Sequence, residues 1–204
     1  MTTVLPSIAA AVNSSSDPQV LLTIGTPGVS LALWNRSLNE DLASALDLLP
    51  ADRLPRLRRR LGPASVAGAV HEACEAAGAG ACAALLAADV ESLAAHAMRV
   101  FTSPLLEIRL DVTEGQPCPK WHVDAVPGRL LCTLRGPGTE YGAVGPDVAP
   151  QSIHRMARGA VGLFRGKLWP GQGRSAILHR SPPRDAGSPR LLVVIDPVGE
   201  AEIS

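Results

Sequence analysis

The segment "LLEIRLDV" at residues 105–112 indicates the class of fold, because its apolar and charged residues alternate. Side chains two positions apart on an extended chain lie on the same face, so this period predicts a strand with one buried face. Further apolar runs follow, separated by clusters of glycine and proline: "RLLCTLRG" (129–136), "AVGLFRG" (160–166), "SAILH" (175–179) and "RLLVVID" (190–196). Short strands with frequent turns predict an antiparallel sandwich or barrel over residues 102–204.

The preceding part of the chain, residues 37–101, has a helical texture. It is rich in Ala, Leu, Glu and Arg, with apolar positions at helical spacing and breaks at Pro50, Pro63 and residues 78–81. "SLNE" at 37–40 fits a capping box, in which Ser37 and Glu40 satisfy the first amides of a helix. The basic run "RLPRLRRRLG" (53–62) is expected to form an amphipathic helix with a solvated arginine face.

The first residues read as a leader followed by two strands. "NSSSDP" (13–18) is typical of a flexible turn, which sets residues 1–18 apart from the predicted strands "QVLLTIG" (19–25) and "VSLALW" (29–34). We therefore expect a single domain of 204 residues in the α+β class, with a helical layer over residues 37–101 packed on a β-barrel over 102–204.

Composition narrows the range of partners. The 19 basic residues balance the 19 acidic ones, so no overall field recruits nucleic acid or anionic lipid. No secretory signal is recognised at the N-terminus, and no apolar run approaches the roughly 20 residues that cross a bilayer. We expect a cytoplasmic protein that acts on a small molecule or a peptide. Its cysteines, at positions 74, 82, 118 and 132, form no CxxC pair and are expected to be reduced.

The chemistry is concentrated in "CPKWHVDAV" (118–126). His122 and Asp124 are two positions apart, so an extended chain turns both side chains toward one point. His179, at the end of a predicted strand, is the best third ligand. Two imidazoles and one carboxylate on one face leave the opposite coordination positions open, which is the arrangement of non-haem Fe(II) oxygenases. Arg190 opens the next predicted strand, expected alongside that of His179, and its guanidinium suits a carboxylate partner.

Other readings of these residues remain open. Cys118 could join His122, Asp124 and His179 to close a tetrahedron around Zn(II), in a non-catalytic protein for metal storage, delivery or sensing. Asp124 could instead cap the turn that follows it. A barrel that has lost its metal and binds a protein partner is a third possibility.

Several residues around these segments have candidate roles. Arg129 and Arg135 flank the "LLCTL" core, and either could point inward at an anionic ligand. Tyr141 ends the glycine-rich run "GPGTEY" near the expected mouth of the barrel. The remaining histidines, His71, His96 and His154, are assigned to structure or to the surface, with His154 expected on a short helix.

The order HxD, distant His, then Arg resembles the double-stranded β-helix dioxygenases over about residues 105–197. This resemblance implies a cupin-like, jelly-roll barrel in which His122, Asp124 and His179 hold Fe(II) and Arg190 anchors 2-oxoglutarate. It also implies hydroxylation of an unidentified substrate. From their positions in the sequence, and not from the resemblance, we predict Arg129 and Tyr141 as further cofactor contacts.

Longer motifs resemble the bacterial family named for domain of unknown function 1826. They are "CPKWHVDAVPGRLLCTLRGPGTEYG" (118–142), "GLFRGKLWPGQGRSAILHRSPP" (162–183) and "PRLLVVIDP" (189–197). This chain departs from the family pattern at Tyr141, where tryptophan is common, so a substrate contact at that position would alter specificity.

Overall fold

The computed structural model describes residues 8–144, 149–171, 173–183 and 189–199, which form a helical layer, a large sheet, a small sheet and a separate two-stranded sheet. The strands are β1 (Ile8–Ala9), β2 (Ala11–Ser15), β3 (Val29–Trp34), β4 (Leu57–Leu61), β5 (Leu106–Thr113), β6 (Gly128–Arg135), β7 (Glu140–Ala143), β8 (His154–Arg155), β9 (Val161–Arg165), β10 (Arg174–Ser175), β11 (Ile177–Arg180) and β12 (Arg190–Pro197). The helices are α1 (Glu40–Leu48), α2 (Val66–Ala76) and α3 (Ala83–Phe101).

The large sheet has seven strands in the order β2-β3-β9-β6-β12-β5-β4. It is mixed, because β2 and β3 are parallel whereas the other neighbours are antiparallel. The last of the described strands, β12, lies between β5 and β6 and pairs with both. The strands predicted from "LLEIRLDV", "RLLCTLRG", "AVGLFRG", "SAILH", "RLLVVID" and "VSLALW" are all confirmed.

The two-residue period of β5 gives the large sheet two different faces. Leu106, Ile108 and Leu110 are buried in the core that the sheet shares with the helices, whereas Arg109 and Asp111 line a pocket on the other face. The apolar residues of α3 complete this core. With its preceding turn, α3 spans Gly80–Phe101 and is the one described helix long and apolar enough to cross a membrane, although it packs here as a core helix.

The small sheet has the order β11-β7-β8 and lies over the pocket face of the large sheet. Between them is a second core, to which Leu131, Phe164 and Val194 contribute from the large sheet and Ile177 from the small one. From β5 onward the chain passes repeatedly between the large and the small sheet.

The N-terminal segment links the two sheets along one edge. β1 pairs with β10, beside the small sheet, and the Ala176 amide donates to the carbonyl of Ala9 at 2.8 Å. A few residues later β2 pairs with β3 in the large sheet. The N-terminal segment therefore contacts both the large and the small sheet along one edge.

This segment differs from the predicted flexible leader and strand. Residues 8–15 are paired strands, since hydrogen bonds to neighbouring strands outweigh the turn preference of the Ser-rich run. Residues 1–7 of the predicted leader lie outside the described part of the chain. The predicted strand at 19–25 is a 3₁₀ helix, Pro18–Gly25, because Asp17 accepts the amide of Gln19 at 2.8 Å and Pro18 occupies its first position.

The helical block also contains a strand where a helix was expected. Residues 57–61 of the arginine run form β4, the edge strand beside β5. As a strand, the run places successive side chains on opposite faces of the sheet. Leu57 is buried in the helical core, whereas Arg58 lies on the pocket face and contacts Glu107 at 3.0 Å. The predicted capping box is also wrong, since α1 is capped by Asn39, whose side chain accepts the Leu42 amide at 3.0 Å.

Candidate metal centre

His122 and His179 lie opposite each other as an antiparallel pair. The His122 amide donates to the His179 carbonyl at 3.1 Å, and the His179 amide donates in return at 3.0 Å. Directly opposed residues point to the same face, and the ring centroids are 4.6 Å apart. This bridge brings the segment after β5 to the edge of β11, and Asp124 reaches the same point.

The donor atoms of His122, Asp124 and His179 all lie within 4.8 Å of one another. His179 Nε2 is 3.0 Å from Asp124 Oδ2, and His122 Nε2 is 3.7 Å from Asp124 Oδ1. With metal–ligand bonds of about 2.1 Å, donors at right angles around one ion lie about 3.0 Å apart. The spacing of the three side chains therefore fits a single metal ion.

Two buried polar atoms at this point support a metal ligand role. Among the described residues, Asp124 Oδ2 and His179 Nδ1 are buried and have no hydrogen-bond partner. The 3.0 Å contact between Asp124 Oδ2 and His179 Nε2 is close but is not aligned as a hydrogen bond. Buried polar atoms without partners are costly, and an ion between the two residues would satisfy the carboxylate oxygen.

The backbone selects the tautomer of His122. Its Nδ1 lies 2.8 Å from the carbonyl oxygen of Lys120. A carbonyl oxygen only accepts, so Nδ1 must carry the proton and Nε2 presents its lone pair toward Asp124. Metal-binding histidines are commonly oriented by such a contact from the other ring nitrogen.

The protonation states also suit metal binding. Burial lowers the pKa of His179 and outweighs the opposing effect of Asp124, so the imidazole is neutral at neutral pH. Burial raises the pKa of Asp124, but contact with His179 and the charge of Arg129 bring this pKa below its usual range. A neutral imidazole and an ionised carboxylate are the forms that bind a metal.

A pocket of about 190 Å³ opens beside the three candidate ligands. Its apolar lining includes Leu131, Leu192 and Val194 on the large sheet. Its charged lining is mostly cationic and comprises Arg109, Asp111, Arg129, Arg180 and Arg190. Arg109, Arg129 and Arg180 are paired with carboxylates, so these guanidinium groups are held in fixed positions next to the metal position.

Arg190 is 2% exposed and is held by groups on its neighbours. Its Nε donates to the Pro137 carbonyl at 2.9 Å, and its Nη2 donates to the hydroxyls of Thr133 at 3.0 Å and Thr139 at 2.8 Å. The expectation that its strand lies alongside that of His179 is wrong: β12 belongs to the large sheet and β11 to the small one. Arg190 and His179 nevertheless line the same pocket, from opposite sheets.

Arg129 lies in the pocket wall, where it contacts two carboxylates. Its Nη1 donates to Asp124 Oδ1 at 2.5 Å. Its Nε donates to Asp196 Oδ1 and its Nη2 to Asp196 Oδ2, each at 2.7 Å. Sequence reasoning missed Asp196, although the two-residue period from Arg190 through Leu192 and Val194 places it on the pocket face. It also missed Thr133 and Thr139, which are buried polar residues next to Arg190.

The other candidates are not in the group of close donor atoms found among the described residues. Cys118 lines the pocket but lies outside this group. Tyr141 pairs with His179 across β7 and β11, yet it lines a separate hollow, where it stacks on His154 with centroids 5.4 Å apart. His154 is exposed on β8 and not on a helix. Arg135 donates to the carbonyls of Leu46 and Leu49 at the end of α1, away from the pocket.

Comparison with known proteins agrees with the motifs of the sequence. The family model described as protein of unknown function (DUF1826) matches residues 15–196. The chain belongs to this family. None of the curated proteins matches it.

Solved structures with a similar fold include oxygenases. A prolyl-4-hydroxylase from Pseudomonas putida is 15% identical and aligns over 97% of this chain and 96% of that one, with a TM-score of 0.50. The dioxygenase for auxin oxidation 1 from Arabidopsis thaliana, in complex with 2-oxoglutarate, is 11% identical over 93% and 92% of the two chains, with a TM-score of 0.49. At such identities the match to the hydroxylase shows a shared fold alone.

Proposed function

We propose that this protein is a non-haem Fe(II) oxygenase that uses 2-oxoglutarate to hydroxylate a small molecule or a peptide. The observation that carries this proposal is the convergence of His122, Asp124 and His179 beside a pocket lined by arginine. Three protein ligands on one face leave room on an octahedral ion for a cosubstrate and oxygen.

Different residues would bind the metal and the cosubstrate. His122, Asp124 and His179 would hold Fe(II). The chemistry that bound iron supplies is oxidative decarboxylation of 2-oxoglutarate to succinate and CO₂, coupled to hydroxylation of the substrate by O₂. Arg190 would pair with the distal carboxylate of 2-oxoglutarate, since a guanidinium is a fixed fork that matches this group.

The pocket supports the same division. Thr133 and Thr139 contact the Arg190 guanidinium, and their hydroxyls can rotate to donate to a bound carboxylate. The apolar side chains of Leu131, Leu192 and Val194 keep the floor of the pocket dry, which strengthens charge pairing with the arginines. The pocket volume of about 190 Å³ suits a cosubstrate together with a small part of a substrate.

The rival function is a non-catalytic zinc protein that uses Cys118 as a fourth ligand. Cys118 is exposed and lies outside the close donor group of the described residues, which argues against a closed tetrahedral site. The two functions differ in metal preference, in the effect of Cys118→Ser and in turnover.

The test uses the full chain, stripped of metal and handled without oxygen. Fe(II) is titrated first, and 2-oxoglutarate is then added to look for the visible charge-transfer band of a chelated 2-oxo acid. Oxygen is finally admitted and succinate is measured. We expect the wild-type protein and Cys118→Ser to give the band and succinate, and His179→Ala to give neither.

Arg190→Lys separates metal binding from cosubstrate binding. We expect it to retain Fe(II) but to need at least about 10-fold more 2-oxoglutarate, because lysine cannot form the paired contact. Failure to bind Fe(II), or tight Zn(II) binding that is lost in Cys118→Ser, would refute the oxygenase proposal.

A further inference from the structure

A row of alternating charges crosses the pocket face of the large sheet and ends at Asp124. Arg109 Nη2 lies 3.4 Å from Asp196 Oδ2, and the same oxygen is 2.7 Å from Arg129 Nη2. Arg129 Nη1 then lies 2.5 Å from Asp124 Oδ1. Arg129 therefore bridges a carboxylate of β12 and a candidate metal ligand.

The sheet fixes the orientation of the Arg129 guanidinium. Ile195 pairs with Leu130, so Asp196 and Arg129, one position further along each strand, are neighbours across β12 and β6. Asp196 accepts two parallel bonds, from Nε and Nη2 of Arg129, each at 2.7 Å. A bidentate pair fixes direction as well as charge, so the third nitrogen, Nη1, is aimed at Asp124.

Burial makes this orientation persistent. The side chains of Asp196 and Asp124 are each 9% exposed, and that of Arg129 is 19% exposed. A buried ion pair contributes little net stability compared with apolar packing, and its best-attested use is to specify one arrangement of groups. The network is thus suited to positioning.

The two oxygens of Asp124 have different surroundings as a result. Oδ1 accepts from Arg129, whereas Oδ2 faces His179 Nε2 and has no hydrogen-bond partner among the described residues. We propose that Arg129, oriented by Asp196, is a positioning residue that restricts Asp124 to a single metal-binding oxygen. The inference rests on the metal site of the proposed function and adds what keeps that site open.

The consequence concerns the number of open coordination positions. Three single-atom ligands leave three positions of an octahedral ion to water or cosubstrate. A carboxylate released from Arg129 can bind through both oxygens and would take one of these three. Arg129 does not touch the substrate in this scheme and acts only through Asp124.

The test uses Mn(II), which reports bound water through its effect on water-proton relaxation. We expect Arg129→Met to bind Mn(II) with a relaxation enhancement per bound ion that is lower by about a third, since two of three water positions remain. Asp196→Asn keeps the shape of its residue but loses its charge, and we expect a smaller fall in the same direction.

Arg135→Met is the matched control, because it removes an arginine from the other end of β6, where the side chain contacts helix carbonyls. We expect its enhancement per ion to equal that of the wild type. If Arg129→Met does not fold or does not bind Mn(II), the relaxation enhancement per bound ion of Asp196→Asn tests the proposal instead. An unchanged enhancement per ion in the variant that binds would overturn this inference while leaving the metal site intact. Absence of Mn(II) binding by the wild type would refute the proposed function as well.

Discussion

Replacing His179 by alanine is expected to remove most of the stability that a divalent ion gives to the folded chain. The ligands come from the segment after β5 and from β11, with the five strands β6 to β10 between them in sequence, so the site exists only in the folded state. At an ion concentration of 100 times Kd, binding stabilises by about 2.7 kcal/mol. For a chain of 204 residues, this raises Tm by about 5–11 °C.

The loss of one of three ligands sets the size of the effect in His179→Ala. Even a change in affinity of about 100-fold, the upper value for groups that only support a ligand, leaves about 0.4 kcal/mol at the same concentration. The expected rise in Tm is then about 1 °C.

The assay follows thermal unfolding by circular dichroism across a series of Mn(II) concentrations, starting from protein treated with a chelator. His71→Ala is the matched control, because His71 is exposed on α2 and should retain the full rise in Tm. An equal rise in His179→Ala and the wild type would refute the assignment of His179 as a ligand. No rise in the wild type would refute the site as a whole.

Three further changes probe the surroundings of the site. Glu140→Gln breaks the ion pairs with Arg155 and Arg180. Burial raises the pKa of Glu140, but these contacts lower it overall, so the ion pairs stabilise the fold when Glu140 is ionised. Urea unfolding should therefore show a loss of about 1.5–3 kcal/mol at pH 7, which disappears as the pH falls below the ordinary value of 4.5. Gly166→Ala should lower both Tm and Mn(II) affinity, because a Cβ there would collide with the carbonyl of Val126 in the ligand segment. The matched control, Gly68→Ala, lies in open space on α2 and should raise the free energy of unfolding by about 0.5–1 kcal/mol. Arg135→Met should cost about 1–3 kcal/mol by leaving the end of α1 unpaired, with Mn(II) affinity unchanged.

Sequence patterns predicted the elements whose two faces differ strongly. The alternation in "LLEIRLDV" is visible because Leu106, Ile108 and Leu110 face the helices while the residues between them face the pocket. The same period placed His122 and Asp124 on one side of an extended segment, and the structure brings His179 to them. These features depend on local spacing, which a sequence records directly.

Elements that depend on a distant neighbour were predicted less well. The arginine run at 57–61 suits a surface helix by itself, yet it becomes an edge strand because β5 offers an unpaired edge. Residues 13–15 are polar and turn-like but pair with β3. In both cases tertiary hydrogen bonds outweigh local preference.

The same limit applied to the surroundings of the ligands. The pairing of Arg129 with Asp196 follows from the adjacency of β6 and β12, which no spacing along the chain records. Arg190 was expected beside β11, but the strand order places it across the pocket from His179. The neighbours of Arg129 and Arg190 therefore depend on which sheet each strand joins, and the sequence alone does not predict this.

The position of β12 has a consequence for how the protein is made. This strand leaves the ribosome after all the other described strands, although it fills the gap between β5 and β6 and carries Arg190 and Asp196. Until it emerges, a nascent chain holds two strands with exposed hydrogen-bonding edges and apolar surface, the kind of species that aggregates. Synthesis interrupted before residue 190 would yield a chain without the middle of its sheet, so we expect such fragments to need chaperones and not to form the candidate metal centre.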